Sequence, residues 1–268
     1  MWQRTLFSIP AFLLLIFAAW ILDWFIIISI ALLALISEYE MINTIKQTGR
    51  DVYEVQLYIF TVLLIPSYLF LGLFGALFLS MIFVMLLLIQ MMFDGKDKIL
   101  KSANSLFIFI YPQFFYLFLI ALVTSGSITL MRLKLLITFC AAITSDSFAL
   151  FIGKLFGKHK LCPNISPKKT IEGAIGGIIS GYIVVMILGY IANKYFNANV
   201  SYIHFIILGA ILPAISQVGD LVASAFKREC KVKDFGTIMP GHGGIMDRLD
   251  SSLFISPVVY FYFFFFIG

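Results

Sequence analysis

The chain has 268 residues, 61% of them hydrophobic and 12% charged, with a mean hydropathy of +1.02. So little polar surface excludes an ordinary water-soluble domain and indicates an all-α, polytopic membrane protein. A net charge of +5 would suit nucleic acid in a soluble protein, but these cations flank apolar runs, where topology and anionic lipid account for them, and nucleic acid is not an expected partner.

Apolar runs of spanning length lie near 5–21, 24–43, 55–71, 73–92, 105–122, 135–156, 173–193, 202–226 and 249–267, which predicts nine transmembrane helices in a single domain over 1–268. Its N-terminal helices occupy about 1–125 and its chemically marked helices and loops about 135–268. The opening MWQRTLFSIPAFLLLIFAAW has the charge-then-apolar order of a signal peptide. It lacks a small-x-small cleavage site and runs into another span, so it is read as a retained first helix. Asp23 follows, then Glu38 and Glu40 near the inner end of the second span, interfacial carboxylates for which a solvated or packing role is expected. Between the third and fourth spans, Gly72 to Gly75 allows only a tight turn. Cys140, Cys162 and Cys230 are widely separated and form no C-x-x-C, so neither a disulfide framework nor a zinc site is indicated.

With the N-terminus inside, sixteen of the nineteen Lys and Arg residues fall on one face; only Arg132, Lys134 and Lys194 fall opposite. Such a bias orients the chain with its charged loops in the cytoplasm.

Asp146 stands within the sixth apolar run, and an acid at that depth is costly enough to be functional by default. Gly153, Lys154, Gly157 and Lys158 follow, but the spacing is not that of a Walker A loop. The stretch from Asn164 to Gly173 then offers Lys168 and Lys169 with the hydroxyls of Ser166 and Thr170, where either a polyphosphate docks or a helix is simply capped. Gly173, Gly177 and Gly181 recur every four residues and predict close helix packing. In the eighth span Gln217, Asp220, Ser224 and Lys227 form one polar stripe, with Pro213 about two turns before it. Asp220 would lie about 10 Å below Lys227, and an unpaired carboxylate there calls for a cation, taken to be a metal.

The segment from Ser224 to Ser252 gathers the densest polar chemistry. Lys227, Arg228, Lys231 and Lys233 suit a polyphosphate, and Gly241, Gly243 and Gly244 let backbone amides approach phosphate oxygens. Asp247 and Asp250, three apart, share a helix face and can converge on a hard cation. A basic loop obeying the positive-inside rule explains the lysines alone; it leaves unexplained His242 among glycines and two aspartates at the mouth of an apolar span.

The run S-A-F-K-R-x4-K-D-F-G-x2-M-P-G-H-G-G-I-M-D-R-L-D over 224–250 resembles the signature of the phosphatidate cytidylyltransferases, or CDP-diacylglycerol synthases. A second match runs from Gly153 to Gly173 behind Asp146; Phe148 and Leu150 depart from the glycine and aromatic of the family pattern. The resemblance implies transfer of CMP from CTP to phosphatidic acid, with pyrophosphate released, and a homodimer would be ordinary; the cation bias puts the site at the cytoplasmic face, and a short chain without an extended soluble head favours a bacterial inner membrane. It implies Mg²⁺, as one ion or with a second cation, on Asp220 and Asp247, with Asp250 as a bridging or supporting carboxylate. Lys227, Arg228, Lys233, Lys168 and Lys169 would hold phosphates, with Ser166, Ser224, Gly243, Gly244 and Arg248 lining the substrate site. His242 would contact phosphate or relay a proton, and Asp146 would bind metal or orient a lysine.

Two other readings stay open. A CTP-dependent transferase acting on another lipid phosphate or a polyprenol needs similar charges, and a nonenzymatic transporter also holds acids inside a bilayer, though it has little use for H-G-G-x2-D-R-x-D.

Overall fold

A computed structural model describes residues 23–95, 97–238 and 243–267, with Asp23 described by its backbone alone. The helices are α1 (Asp23–Lys46), α2 (Glu54–Phe93), α3 (Lys98–Ile108), α4 (Phe115–Thr124), α5 (Ile128–Phe156), α6 (Ile171–Phe196), α7 (Tyr202–Glu229) and α8 (Met246–Phe266). One π-helical turn, Phe109–Phe114, joins α3 to α4 into a single rod. It contains Pro112, which has no N–H for the helical ladder. Among the described residues seven rods are long and apolar enough to cross a membrane. The first expected span, 5–21, lies outside the described residues.

The forty residues of α2 would make a rod of about 60 Å, twice the hydrocarbon thickness of a bilayer. The backbone instead leaves the helix at Gly72, with φ 65° and ψ −158°, a region open essentially only to glycine. The chain folds back there: Gln56 Nε2 donates to Gln90 Oε1 at 3.0 Å, Tyr53 Oη donates to Asp94 Oδ2 at 2.8 Å, and the rings of Phe60 and Phe83 lie 4.9 Å apart. Residues 54–71 and 73–93 are therefore antiparallel neighbours, as the Gly72 to Gly75 turn predicted.

The chain forms two compact units. The first comprises Met1–Ile120 and Glu229–Arg248, the second Ala121–Arg228 and Leu249–Gly268. In the first, Met41, Ile42, Leu57, Phe83, Ile108 and Leu117 are buried, and Ser37 shares a 2.6 Å hydrogen bond with Tyr116. Glu38 and Glu40 are also buried, which removes the solvated alternative for both. Thr61 Oγ1 donates to Glu38 Oε1 at 2.9 Å, satisfying one oxygen of a carboxyl that would otherwise be costly in an apolar core.

In the second unit α5 packs along α6, and the glycine stripe is the reason they can approach. A Cβ on Gly177 would lie 2.6 Å from Ser145 O and 2.7 Å from Gln217 Nε2, and one on Gly181 would lie 2.5 Å from Pro213 Cγ. Helix α5 begins seven residues before the apolar run at 135–156, so Lys134 stands in a span rather than in an outer loop. Its ammonium is buried, donating to the carbonyl and, at 2.7 Å, to the hydroxyl of Ser125 just past α4, where carbonyls lack helical partners.

The hairpin β1 (Lys160–Cys162) and β2 (Ser166–Thr170) was not anticipated. Its strands are antiparallel, with Lys160 opposite Thr170 and Cys162 opposite Ser166. Thr170 then caps α6, its Oγ1 accepting from Gly173 N–H at 3.2 Å.

Candidate active site

The acids of the second unit converge. Asp220, half-buried on α7, has its Oδ2 2.6 Å from Lys169 Nζ, and its Oδ1 accepts from Ser224 Oγ at 3.3 Å. The cation facing this acid is thus a lysine of β2, where the sequence led to a metal. Asp146 of α5 accepts from Ser251 Oγ at 2.8 Å, and the Ser251 N–H donates to Asp250 Oδ1 at 2.7 Å. Asp250, buried on α8, lies within the electrostatic reach of Asp220, Asp146 and the buried Lys227. Three carboxylates from three helices thus face Lys169 and Lys227. Gln217 extends the α7 stripe, donating to Ser145 Oγ at 3.1 Å and Ala174 O at 2.9 Å, which fixes α7 against α5 and α6.

Strand alternation separates the two hairpin lysines: Lys169 turns inward to Asp220, while Lys168 is exposed. Ser166 is half-buried at the start of β2. Arg228 is exposed and its Nε donates to Ile165 O at 3.3 Å, tying the end of α7 to the hairpin turn. Phe148 and Leu150, the departures from the family pattern, both point outward.

The first unit holds the glycine-rich segment. Asp247, in the first turn of α8, accepts at Oδ2 from Phe235 N–H at 2.7 Å and from Gly244 N–H at 3.0 Å. Glu40 of α1 takes the next two amides, Ile245 N–H at 3.0 Å and Met246 N–H at 2.9 Å. The amides of Gly244, Ile245 and Met246 therefore point at carboxylates of the chain itself, where the sequence directed the start of this helix toward a phosphate. Gly243 is needed for its φ of 82°. Lys233 and Arg248 are exposed. His242 and Gly241 lie outside the described residues.

Reasoning from sequence missed Glu40, Ser251 and the pair His159 with Glu172. In that pair Glu172 accepts from the N–H groups of Lys158, at 3.1 Å, and His159, at 3.2 Å, and shares a 2.6 Å hydrogen bond with His159 Nδ1. A glutamate three residues past the Lys168-Lys169 pair was the available signal. Among the described residues, no group of three or more His, Cys, Asp or Glu side chains stands in metal-holding geometry.

Comparison with known proteins gives the arrangement its relatives. Over 123 residues the chain is 47% identical to the phosphatidate cytidylyltransferase of Bacillus subtilis (strain 168), covering 46% of this chain and 44% of that protein. It is 48% identical over 127 residues to the phosphatidate cytidylyltransferase of Staphylococcus aureus (strain COL), covering 47% of this chain and 46% of the relative. For the protein of that name from Staphylococcus haemolyticus the identity is 46% over 125 residues, with coverage of 47% and 46%. The matched stretch thus spans a little under half the length of these curated relatives. The model of the Cytidylyltransferase family matches residues 2–266. Since that match extends over nearly the whole chain, the protein belongs to the Cytidylyltransferase family.

Proposed function

We propose that the chain is a phosphatidate cytidylyltransferase, making CDP-diacylglycerol at the cytoplasmic face of a bacterial inner membrane. A phosphate oxygen of phosphatidic acid attacks the α-phosphorus of CTP; the bond from that phosphorus to the oxygen bridging to the β-phosphate breaks, and pyrophosphate leaves. The observation that carries the reading is the assembly of Asp146, Asp220 and Asp250, all on apolar helices, with Lys169 of β2 and Lys227 of α7. Acids so placed are expensive unless used, and transfer at phosphorus needs chiefly positioning and charge neutralisation. The names of the relatives supply the lipid substrate, and the bias of cations to one face supports the cytoplasmic orientation.

Mg²⁺ fits the donor set. The three carboxylates outnumber the two lysines beside them, all the acids are hard oxygen donors, and Mg²⁺ is commonly held by one or two carboxylates, with substrate phosphates and water completing its shell. Asp220 and Asp250 of this cluster would hold it, and when bound it neutralises charge on the phosphate oxygens; Asp247 is assigned to the metal by the resemblance alone. Lys169 and Lys227 then hold phosphate oxygens from within the bundle, while Lys168, Arg228, Lys233 and Arg248 do so from exposed positions.

The test is label transfer from CTP carrying ³²P at the α position to lipid, using purified protein in mixed micelles with phosphatidic acid and Mg²⁺. One pyrophosphate should appear for each label entering the lipid phase. Transfer only to a different lipid phosphate or a polyprenol would reassign the substrate, and no transfer to any of them would overturn the reading.

A further inference from the structure

Glu40 is a buried acid that neither the sequence motifs nor the reaction uses, yet it holds the start of α8. Its Oε1 accepts from Ile245 N–H at 3.0 Å and its Oε2 from Met246 N–H at 2.9 Å, a two-pronged grip by a full charge on the positive end of a helix. Two glycines make room for it. A Cβ on Gly236 would lie 2.5 Å from Glu40 Oε1, and one on Gly244 would strike both carboxylate oxygens. One turn along α1, Thr44 Oγ1 donates to Phe235 O at 3.3 Å, and the N–H of that same Phe235 donates to Asp247. Phe235 is therefore held by α1 and by Asp247, and Ile245 and Met246 are held by α1.

We infer that Glu40 is a positioning residue for the start of α8: by holding the Ile245 and Met246 amides it fixes the direction in which the first turn of that helix presents Asp247 and Arg248. The inference rests on the function proposed above only insofar as Asp247 serves Mg²⁺. The charges of Glu40 and Asp247 repel, and four separate backbone N–H groups, two donating to each acid, let them stand side by side at this helix start. Glutamine in place of Glu40 keeps the volume and one acceptor but turns an NH₂ group toward the second amide. Aspartate is one methylene shorter and cannot span both.

The test uses the full-length protein in lipid nanodiscs, with Glu40→Gln, Glu40→Asp and Glu40→Ala. Backbone hydrogen exchange at residues 244–247 should quicken about tenfold or more in the Ala and Asp variants and less in Gln, with exchange along α2 unchanged. The Mg²⁺ concentration giving half-maximal turnover should rise several-fold in Gln, with its maximal rate partly recovered at high Mg²⁺. Unchanged exchange at 244–247 would overturn the inference, as would a uniform rise across α1 and α2 or an unchanged Mg²⁺ requirement beside faster local exchange, since those mark a merely structural acid. Should the Ala variant not fold, the Gln variant carries the same comparison. Inactive wild-type protein would remove the proposed function, while the exchange measurement would still decide the role of Glu40.

Discussion

Lys169 and Asp220 stand 2.6 Å apart, one on the second strand of the hairpin and the other midway along α7. Each makes the other tolerable. A carboxylate in an apolar helix and an ammonium turned in from a strand would each be penalised alone, and together they anchor the hairpin to the bundle.

Breaking that pair should cost more than either charge is worth. Lys169→Ala and Asp220→Asn are each expected to destabilise the protein, and the double variant should be less destabilised than the sum of the two. The coupling should be about 1–3 kcal/mol, read from a double-mutant cycle of unfolding in detergent. Strict additivity would mean that the contact contributes nothing.

The proposed chemistry sorts the acids from the exposed lysine. Asp220→Asn and Asp247→Asn should abolish CTP-dependent product at every Mg²⁺ concentration, while Lys168→Ala should raise the KM for CTP and leave that for lipid unchanged. Near wild-type turnover by either Asn variant would remove that residue from the metal site, and an effect of Lys168→Ala confined to the lipid would contradict its phosphate role.

Packing of α6 gives a prediction independent of function. Gly177→Ala drives a methyl group toward Ser145 O and Gln217 Nε2 and should cost about 1–3 kcal/mol, lowering the thermal midpoint. Gly95→Ala, where a Cβ meets nothing within 4 Å, is the matched control and should leave the midpoint in place.

At the mouth of α2, the Tyr53 hydroxyl, the Gly95 amide and the Lys101 ammonium all donate to Asp94 and hold its carboxyl below the ordinary 3.8. A depressed carboxyl contributes stability that is complete above 3.8 and lost as pH falls through the folded-state value. The Asp94 carboxyl carbon should therefore titrate below 3.8 by NMR. The Tyr53 phenol, raised first by burial and then by Asp94, should titrate above 10.0 by absorbance. A midpoint for Asp94 at or above 3.8 would show that these donors do not favour the carboxylate.

The features readable in the sequence were those whose signal is local. Gly72 marks a reversal because forty apolar residues are too long for one crossing, and Asp146 and Asp220 announce themselves by standing where acids are costly. The glycine stripe of α6 was legible for the same reason, because one helix carries its whole period. Glu40 was not legible, since its partners lie 205 and 206 positions away and nothing near it distinguishes a strut from a solvated acid. The hairpin was hidden by its own shortness: three and five residues, with Pro167 and two lysines in one strand, carry no readable alternation. Lys134 was misread because a cation beside Arg132 looks like a loop until the bare carbonyl of Ser125 is seen to claim it.

The reversal at Gly72 also bears on how the chain threads the bilayer. Two antiparallel limbs make an even number of crossings, so they return the chain to the compartment it left. The loop at 47–53 and the one beginning at Asp94 must share a side, as the contact of Tyr53 with Asp94 already requires. Excising the whole hairpin would shorten the protein without inverting anything downstream, whereas losing only one limb would turn every later loop inside out.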